Sequence, residues 1–250
     1  MDHEQELFSH SFLSVLKRTE RVMVSTGAGI SAESGVPTFR GPNGLWNDFK
    51  PEELATPEAF AGNPKRVWEW YDWRRQLLKD VQPNPGHHAL AELEKMVAKF
   101  CLVTQNIDGL HQKAGSKLVY ELHGNIWNVK CTKEKDRVFP LVENPISQLP
   151  PVCDCGAMLR PDVVWFGEAL PAQVTDYAWQ VAQQCEIFFL IGSSATVQPA
   201  ASLPWIAKDH GAIVVEINPE STPITDIADE VFRGKSGVIL PQLMEALKNV

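Results

Sequence analysis

The chain has 250 residues, of which 44 % are hydrophobic, and this length and apolar content exclude a disordered chain and predict one large domain, or one with a small appendage. Its formal net charge of −8 argues against a nucleic-acid partner held by phosphate neutralisation. No apolar run is long enough to span a bilayer and no signal peptide appears at the N-terminus, so we expect a cytoplasmic protein without a membrane partner.

Apolar residues recur along the chain in a pattern that predicts an α/β fold. Apolar runs predict strands at 22–26, 100–104, 120–123, 185–191, 213–217 and 231–232. Helical spacing predicts helices at 5–18, 67–78, 88–99, 200–208 and 241–248, with further helix starts at 57 and 64. Several of these strands end in small or polar residues with helices between them, which predicts a mostly parallel, doubly wound sheet.

The segment from 127 to 161 breaks this alternation. Proline, charged residues and cysteine accumulate there, so we expect an insertion that forms part of a small second module. The chain has five cysteines, an odd number, and Cys153 and Cys155 form a close pair. This usage suits a reducing compartment and a metal site better than disulfides.

A glycine turn follows the first predicted strand. Gly27, Ala28 and Gly29 come directly after the run 22–26. Such a turn lets the backbone approach a dinucleotide pyrophosphate, with free N–H groups facing its charge, and it equally suits a tight strand-to-helix turn that binds nothing. The second strand runs into the polar stretch 105–109, at the strand end where open α/β sheets bind ligands.

The helix at 67–78 is rich in aromatic and basic residues. Its spacing places Val67, Trp70, Tyr71, Arg74 and Leu78 near one face, which fits a core face with snorkelling arginines as well as a binding site. Arg75 lies about 100° away around the helix. We therefore expect Arg75 to tolerate replacement by Met.

Seven short motifs, each weak by itself, occur in order at 27–31, 37–40, 105–108, 122–124, 160–168, 192–194 and 217–220. Their order and spacing resemble the sirtuin family of NAD-dependent protein-lysine deacylases, and the resemblance covers residues 22 to 241. It implies a Rossmann-type NAD-binding domain (1–41, 80–127 and 163–250). It also implies a small helical and cysteine-bearing module (42–79 and 128–162), with NAD and an acyl-lysine peptide meeting in the cleft between the two.

The resemblance also implies which residues bind NAD. The glycine turn would hold the pyrophosphate, the loop with Phe39 and Arg40 would cover the dinucleotide, and Asn106 and Asp108 would hold the nicotinamide end. Ser193 and Asn218 would contact the adenosine ribose and Ser236 the adenine. The full set of expected contacts is Gly27, Ala28, Gly29, Ile30, Thr38, Phe39, Arg40, Gln105, Asn106, Ile107, Asp108, Gly192, Ser193, Ser194, Asn218, Pro219, Glu220 and Ser236.

His123 matches the family's general base, and Asn106 is expected beside it in catalysis. A neutral histidine can accept a proton from a ribose hydroxyl near pH 7. In the implied reaction the acyl oxygen attacks C1′ of the nicotinamide ribose and expels nicotinamide. An imidate-like adduct forms, His123 activates a ribose hydroxyl that attacks it, and water then releases free lysine and O-acyl-ADP-ribose. His87, His88 and His111 lack a motif of this kind and are expected to be structural or exposed.

Tyr71 and Arg74, together with Ala59, match the class III branch of the family, whose members prefer acidic acyl groups such as succinyl and malonyl. A guanidinium can bind a carboxylate through two parallel charge-assisted hydrogen bonds, and a small Ala59 would leave room for a longer acyl chain. The substrate backbone is expected to pair with Val164, Trp165, Phe166 and Gly167 as an added strand.

The metal site departs from the family's pattern of two Cys-x-x-Cys pairs. Glu134 stands where the second cysteine is usual, and the second pair is the closer Cys153-x-Cys155. Cys131, Cys153 and Cys155 with Glu134 as a candidate fourth ligand would make a tetrahedral zinc site. The alternative, equally open from the sequence, is that the zinc site has been lost and that packing alone holds the module together.

Four other functions remain open at this point. They are a plain NAD-dependent deacetylase without preference for acidic groups, a nicotinamide dehydrogenase sharing the fold, a non-catalytic acyl-lysine reader and a mono-ADP-ribosyltransferase. His123 and Asn106 together favour an enzyme over a reader.

Overall fold

The structure, a computed structural model, describes residues 7–38, 44–134 and 136–250. Within these residues the chain forms nine β-strands and ten α-helices. The strands are β1 (Arg21–Thr26), β2 (Lys99–Thr104), β3 (Val119–Glu121), β4 (Gly124–Cys131), β5 (Val138–Pro140), β6 (Leu159–Val163), β7 (Ile187–Ile191), β8 (Ile213–Asn218) and β9 (Glu230–Arg233). The helices are α1 (His10–Arg18), α2 (Ala28–Ala32), α3 (Pro51–Leu54), α4 (Pro57–Gly62), α5 (Pro64–Leu78), α6 (Pro85–Met96), α7 (Leu110–Ala114), α8 (Ala172–Ala182), α9 (Leu203–Asp209) and α10 (Ser236–Lys248).

Six strands form one parallel sheet in the order β3-β2-β1-β7-β8-β9. This confirms the predicted doubly wound parallel sheet. The strand order reverses beside β1, whose Thr26 pairs with Thr104 of β2 on one side and with Ile191 of β7 on the other. At such a switch point the connections leave in opposite directions and open a crevice at the carboxyl ends of the strands.

Helices cover both faces of this sheet. Alternate side chains of β1 point to opposite faces, so Val22 and Val24 pack with apolar residues of α1, α6 and α10. Met23 packs on the other face with Ala178, Ala182 and other residues of α8 and α9. The sheet is therefore buried on both sides, as parallel sheets require.

A second, antiparallel sheet in the order β5-β4-β6 packs against α5. The indole of Trp68 on α5 donates a hydrogen bond to Leu159 O of β6 at 2.8 Å. Arg75, which was expected to be replaceable, is 1 % exposed and donates to Ile126 O (3.1 Å) and Glu143 O (3.0 Å). The expectation was wrong because β4 and the segment after β5 both pack against the helix, and their carbonyl groups accept hydrogen bonds from Arg75.

Several predicted bounds shift for local reasons. Helix α6 begins at Pro85 rather than at 88, because the side chain of Asn84 accepts the Gly86 N–H and caps the helix. Helix α10 begins at Ser236 and contains Pro241 in its interior, where the prediction had placed its start. The predicted boundaries between the two modules, at 41/42, 79/80, 127/128 and 162/163, stay predictions.

Among the described residues, no helix combines the length and the apolar character that crossing a membrane needs.

Candidate active site

A cleft of about 890 Å³ opens at the carboxyl ends of β1, β2, β7 and β8, between the large sheet and the small module. Most of the predicted site residues line it. Those residues are Gly27, Ala28, Gly29, Thr38, Tyr71, Gln105, Asn106, Ile107, His123, Val164, Trp165, Phe166, Gly167, Gly192, Ser193, Ser194, Asn218, Pro219, Glu220 and Ser236. The size of the cleft and its many amide and hydroxyl groups suit a dinucleotide.

The glycine turn packs against a second glycine turn at the end of β7. A Cβ on Gly27 or Gly29 would lie 2.8 and 2.7 Å from Gly192 O, so neither position can carry a side chain. Their N–H groups donate to Ile191 O (3.1 Å) and Gly192 O (2.8 Å). The expectation that these N–H groups face a pyrophosphate is therefore wrong for Gly27 and Gly29, because the protein itself uses them.

Not every predicted contact reaches the cleft. Ile30 is fully buried in the core under the sheet, because it faces inward from α2. Asp108 lies behind the lining residues and is 7 % exposed. Phe39 and Arg40, the predicted covering loop, lie outside the described residues.

Asn106 belongs to a buried hydrogen-bonded cluster beneath the cleft floor. Its side-chain amide donates to Gly27 O (3.0 Å) and to Ser31 Oγ (3.1 Å), and Ser31 Oγ donates to Asp108 Oδ2 (2.7 Å). Burial raises the pKa of Asp108, and the hydrogen bonds from Leu110 N and Ser31 oppose that shift. The cluster fixes Asn106 with its Oδ1 as the polar atom left for a ligand.

His123 lines the cleft, and one of its two ring nitrogens is already hydrogen-bonded within the protein. Its Nδ1 lies 2.9 Å from Gln105 O, and a carbonyl can only accept, so Nδ1 carries the proton. In the neutral ring Nε2 then has a free lone pair. Burial lowers the pKa of His123, and the hydrogen bond to Gln105 opposes this in part, so the ring is neutral near pH 7. His123 is thus set up to accept a proton at Nε2.

The far end of the cleft is held by contacts between neighbouring turns. Asn218 Nδ2 donates to Ser193 O (2.6 Å), and Gln105 Nε2 donates to Ser193 Oγ (3.1 Å). The loop after Asn218 is anchored by the fully buried carboxylate of Glu216, which accepts from Thr222 (2.6 Å) and Thr225 (2.7 Å) hydroxyl groups. These bonds fix the loop that carries Pro219 and Glu220.

The inner wall of the cleft comes from α5 and the segment after β6. Tyr71, 3 % exposed, accepts a 3.0 Å hydrogen bond from Trp165 Nε1. Ala55, just before α4, also lines this wall, whereas Ala59 on α4 does not. The prediction of Ala59 as a lining residue was therefore wrong, because the start of α4 directs Ala55 and not Ala59 to the cleft.

Arg74 lies one helical turn beyond Tyr71 and is 3 % exposed. Its guanidinium lies 5.2 Å from the ring centroid of Trp70, which also lines the cleft. Burial lowers the pKa of Arg74 to about 10, and the nearby Tyr71 and Asp108 oppose that shift. Arg74 therefore stays charged near pH 7 behind the cleft wall.

The backbone N–H groups of Val164, Trp165 and Phe166, in the predicted peptide-binding segment, already form hydrogen bonds within the protein. Val164 N donates to His123 O and Phe166 N to Ala55 O, both at 2.9 Å, and Trp165 N donates to the Glu168 carboxylate at 2.9 Å. A substrate strand would therefore have to bind residues 164–166 through their carbonyl groups.

The three predicted metal ligands come together in the small module. The sulfur atoms of Cys131, Cys153 and Cys155 lie within 4.8 Å of one another. Thiolates around one tetrahedral zinc are about 3.8 Å apart, so the donor set fits the metal. The Glu134 carboxylate instead accepts from Arg137 at 3.3 Å and is not part of the group.

Sequence reasoning missed several residues around the cleft. Ser31 links Asn106 to Asp108 through hydrogen bonds. Its position two residues after Gly29 was the one sequence feature that could have indicated this role. His87 is buried with its Nε2 3.4 Å from Ser31 Oγ. Glu33 accepts the Gly237 N–H at 2.8 Å beside Ser236, a contact between distant segments that no local pattern indicates.

The family model described as "Sir2 family" matches residues 27–199. A protein of Aquifex aeolicus named "NAD-dependent protein deacylase" is 54 % identical over 228 residues, which cover 91 % of this chain and 95 % of that protein.

Solved structures of Sir2 homologues also match over nearly the whole chain. A Sir2 homologue in complex with NAD has a TM-score of 0.91 and 45 % identity, covering 99 % of this chain and 97 % of its own. A Sir2 structure with a deacetylated p53 peptide and 3′-O-acetyl ADP-ribose has a TM-score of 0.86 and 34 % identity, covering 94 % and 97 %.

Proposed function

The chain belongs to the Sir2 family and is an NAD-dependent protein deacylase, and we propose that it removes acidic acyl groups, succinyl and malonyl, from lysine more efficiently than acetyl groups. Its substrates are acyl-lysine proteins. We further propose that it acts without a nucleic-acid or membrane partner in the cytoplasm, which its formal net charge of −8 supports for nucleic acid.

The observation that carries the proposal is the pair formed by Tyr71, in the inner wall of the cleft, and Arg74, which lies behind that wall. The two side chains lie three residues apart on α5 and both are buried. The buried guanidinium of Arg74 would be stabilised by the carboxylate of an acidic acyl group that reaches it. An acetyl group carries no charge and gives no such stabilisation. The small side chain of Ala55 leaves room in the same wall for a chain longer than acetyl.

The proposed roles of the other residues follow from their positions. His123 takes a proton from a ribose hydroxyl at Nε2, since Nδ1 is occupied by Gln105 O. Asn106 orients the nicotinamide end through Oδ1, and the turns at 27–29 and 192–194, with Asn218 and Ser236, hold the remainder of the dinucleotide. When bound, NAD supplies the ADP-ribose that accepts the acyl group, with nicotinamide as the leaving group.

The substrate backbone is proposed to lie along residues 164–167. Main-chain contacts of this kind bind many peptides with little selection among side chains. Because the N–H groups of residues 164–166 are used within the protein, the peptide would supply the donors and the segment the acceptors. The acyl-lysine side chain would then enter the cleft between Phe166 and His123, which both line it.

Replacement of Arg74 by Met tests the proposal. We expect the KM for a succinyl-lysine peptide to rise about ten- to a hundredfold, because a charged hydrogen-bond interaction is worth about 1.5–3 kcal/mol. Its kcat should change little, since the acyl carboxylate is bound alike in the ground and transition states. Turnover of the acetyl-lysine peptide should barely change.

Arg66→Met is the matched control. Arg66 lies on the same helix, and its exposed side chain pairs with Glu53. We expect neither activity to change in this variant. If Arg74→Met lowers succinyl and acetyl activity equally, Arg74 is a structural residue and the acidic-acyl proposal is wrong.

A further inference from the structure

Trp165 contacts the proposed acyl-binding wall through its indole N–H. The side chain is 2 % exposed, and Nε1 donates to Tyr71 Oη at 3.0 Å. The two residues are far apart in sequence, one on α5 and one after β6, and both line the cleft. The hydrogen bond therefore joins the two sides of the wall where an acyl chain would end.

The chemistry of the two groups fixes the direction of this hydrogen bond. An indole N–H can only donate, so Tyr71 Oη must accept. The phenol then has one of its two lone pairs filled, and its own proton is directed to another acceptor. Burial raises the pKa of Tyr71 to about 12, so the phenol keeps that proton near pH 7.

Several contacts hold the indole in place. The guanidinium of Arg160 lies 3.3 Å from the Trp165 ring centroid and pairs with the Glu168 carboxylate at 2.5 and 2.8 Å. Glu168 also accepts the backbone N–H of Trp165 at 2.9 Å, and the Phe60 ring packs with its centroid 5.2 Å away. The position of the N–H is therefore set before any substrate arrives.

We propose that Trp165 is a positioning residue for acyl-group selection: its N–H occupies one lone pair of Tyr71 Oη, so that the Tyr71 hydroxyl donates its proton to the carboxylate of an acidic acyl chain beside Arg74. This inference rests on the proposed preference for acidic acyl groups. It assigns Tyr71 the part of a neutral donor and Arg74 that of the cation. Without the indole, the phenol can rotate and use either lone pair.

Trp165→Phe removes the N–H and keeps a ring under Arg160. We expect the ratio of kcat/KM for succinyl-lysine peptide to kcat/KM for acetyl-lysine peptide to fall about three- to tenfold, the size expected for one hydrogen bond. The loss should be mainly in KM for the succinyl peptide. Because Trp165 acts through Tyr71, Trp165→Phe should cause no further loss of the ratio in a Tyr71→Phe background.

Trp68→Phe is the matched control, since it also removes a buried indole N–H, the one that donates to Leu159 O. It should lower thermal stability and leave the ratio at the wild-type value. If Trp165→Phe does not fold, a β-(3-benzothienyl)alanine at position 165 keeps the bicyclic shape without an N–H and gives the same test.

The outcomes separate this inference from the proposed function. A Tyr71→Phe variant with a lower ratio, beside a Trp165→Phe variant with the wild-type ratio, overturns the role of Trp165 alone. The role of Trp165 is also overturned if Trp165→Phe lowers the succinyl-to-acetyl ratio equally in the wild type and in the Tyr71→Phe background. An unchanged ratio in Tyr71→Phe instead contradicts the proposed contact between this wall and an acyl carboxylate, and the inference fails with it.

Discussion

One hydrogen bond sets the chemistry proposed for His123. Its Nδ1 donates a hydrogen bond to the backbone oxygen of Gln105, which precedes Asn106 at the end of β2. The bond leaves Nε2 as the acceptor and orients the ring toward the cleft. Since burial lowers its pKa, the ring is neutral and able to accept a proton over most of the physiological range.

His123→Ala should therefore lower kcat on the order of a hundredfold or more, as expected for loss of a general base, without altering the circular dichroism spectrum. In the wild type, kcat/KM should fall in acid as Nε2 takes a proton, with a midpoint below the usual histidine pKa of about 6.5. Steady-state kinetics from pH 5 to 9 measures both. His88→Ala, at an exposed position on α6, is the control. Turnover of His123→Ala within a fewfold of wild type would refute the assignment.

At the level of single residues, the sequence could predict those that belong to a motif next to a strand end. Gly27, Asn106 and His123 were found in this way and line the cleft. Arg75 could not be judged, because its three carbonyl partners come from segments more than 50 residues later. Ala55 was missed in favour of Ala59, since nothing in the sequence indicates how α4 turns relative to the wall.

At the level of elements, the sequence predicted the parallel strands well, because buried strands read as continuous apolar runs. The strands β4, β5 and β6 were not predicted. The side chains of β4 are buried without clean alternation, and β5 and β6 are only three and five residues long, with Pro161 inside β6. The close contact between the turns after β1 and β7 also escaped prediction, since two glycine motifs 165 residues apart carry no sign that they touch.

The cysteine cluster at the end of β4 predicts bound zinc. We expect about one zinc per chain in protein never exposed to a chelator, because three cysteine sulfur atoms are already gathered at a spacing that suits the metal. Cys131→Ser should lower the zinc content strongly, measured by inductively coupled plasma mass spectrometry. Cys101→Ala, in β2 and outside the cluster, should leave it unchanged. Well under one zinc per chain in the wild type would contradict the prediction.

At the level of the whole molecule, the cleft exists because two sheets with different cores meet at the carboxyl edge of the parallel sheet. The large sheet supplies the turns at its strand ends, and α5 with the segment after β6 supplies the wall with Tyr71 and Trp165. The sequence indicated both parts and their order through its family resemblance. It could not give the hydrogen bond between Trp165 and Tyr71 within the wall, because that bond depends on how α5 packs against the segment after β6.

A competition assay with the wild-type protein tests the central claim most directly. Equal amounts of one peptide carrying succinyl-lysine or acetyl-lysine are mixed in a single tube, with and without NAD, and followed by mass spectrometry. We expect the succinyl peptide to be consumed first, only with NAD, and with release of nicotinamide and O-succinyl-ADP-ribose. The buried Arg74 and Tyr71 predict an initial rate ratio on the order of ten or more. Consumption of the acetyl peptide at an equal or higher rate, or loss of either acyl group without NAD, would contradict the account.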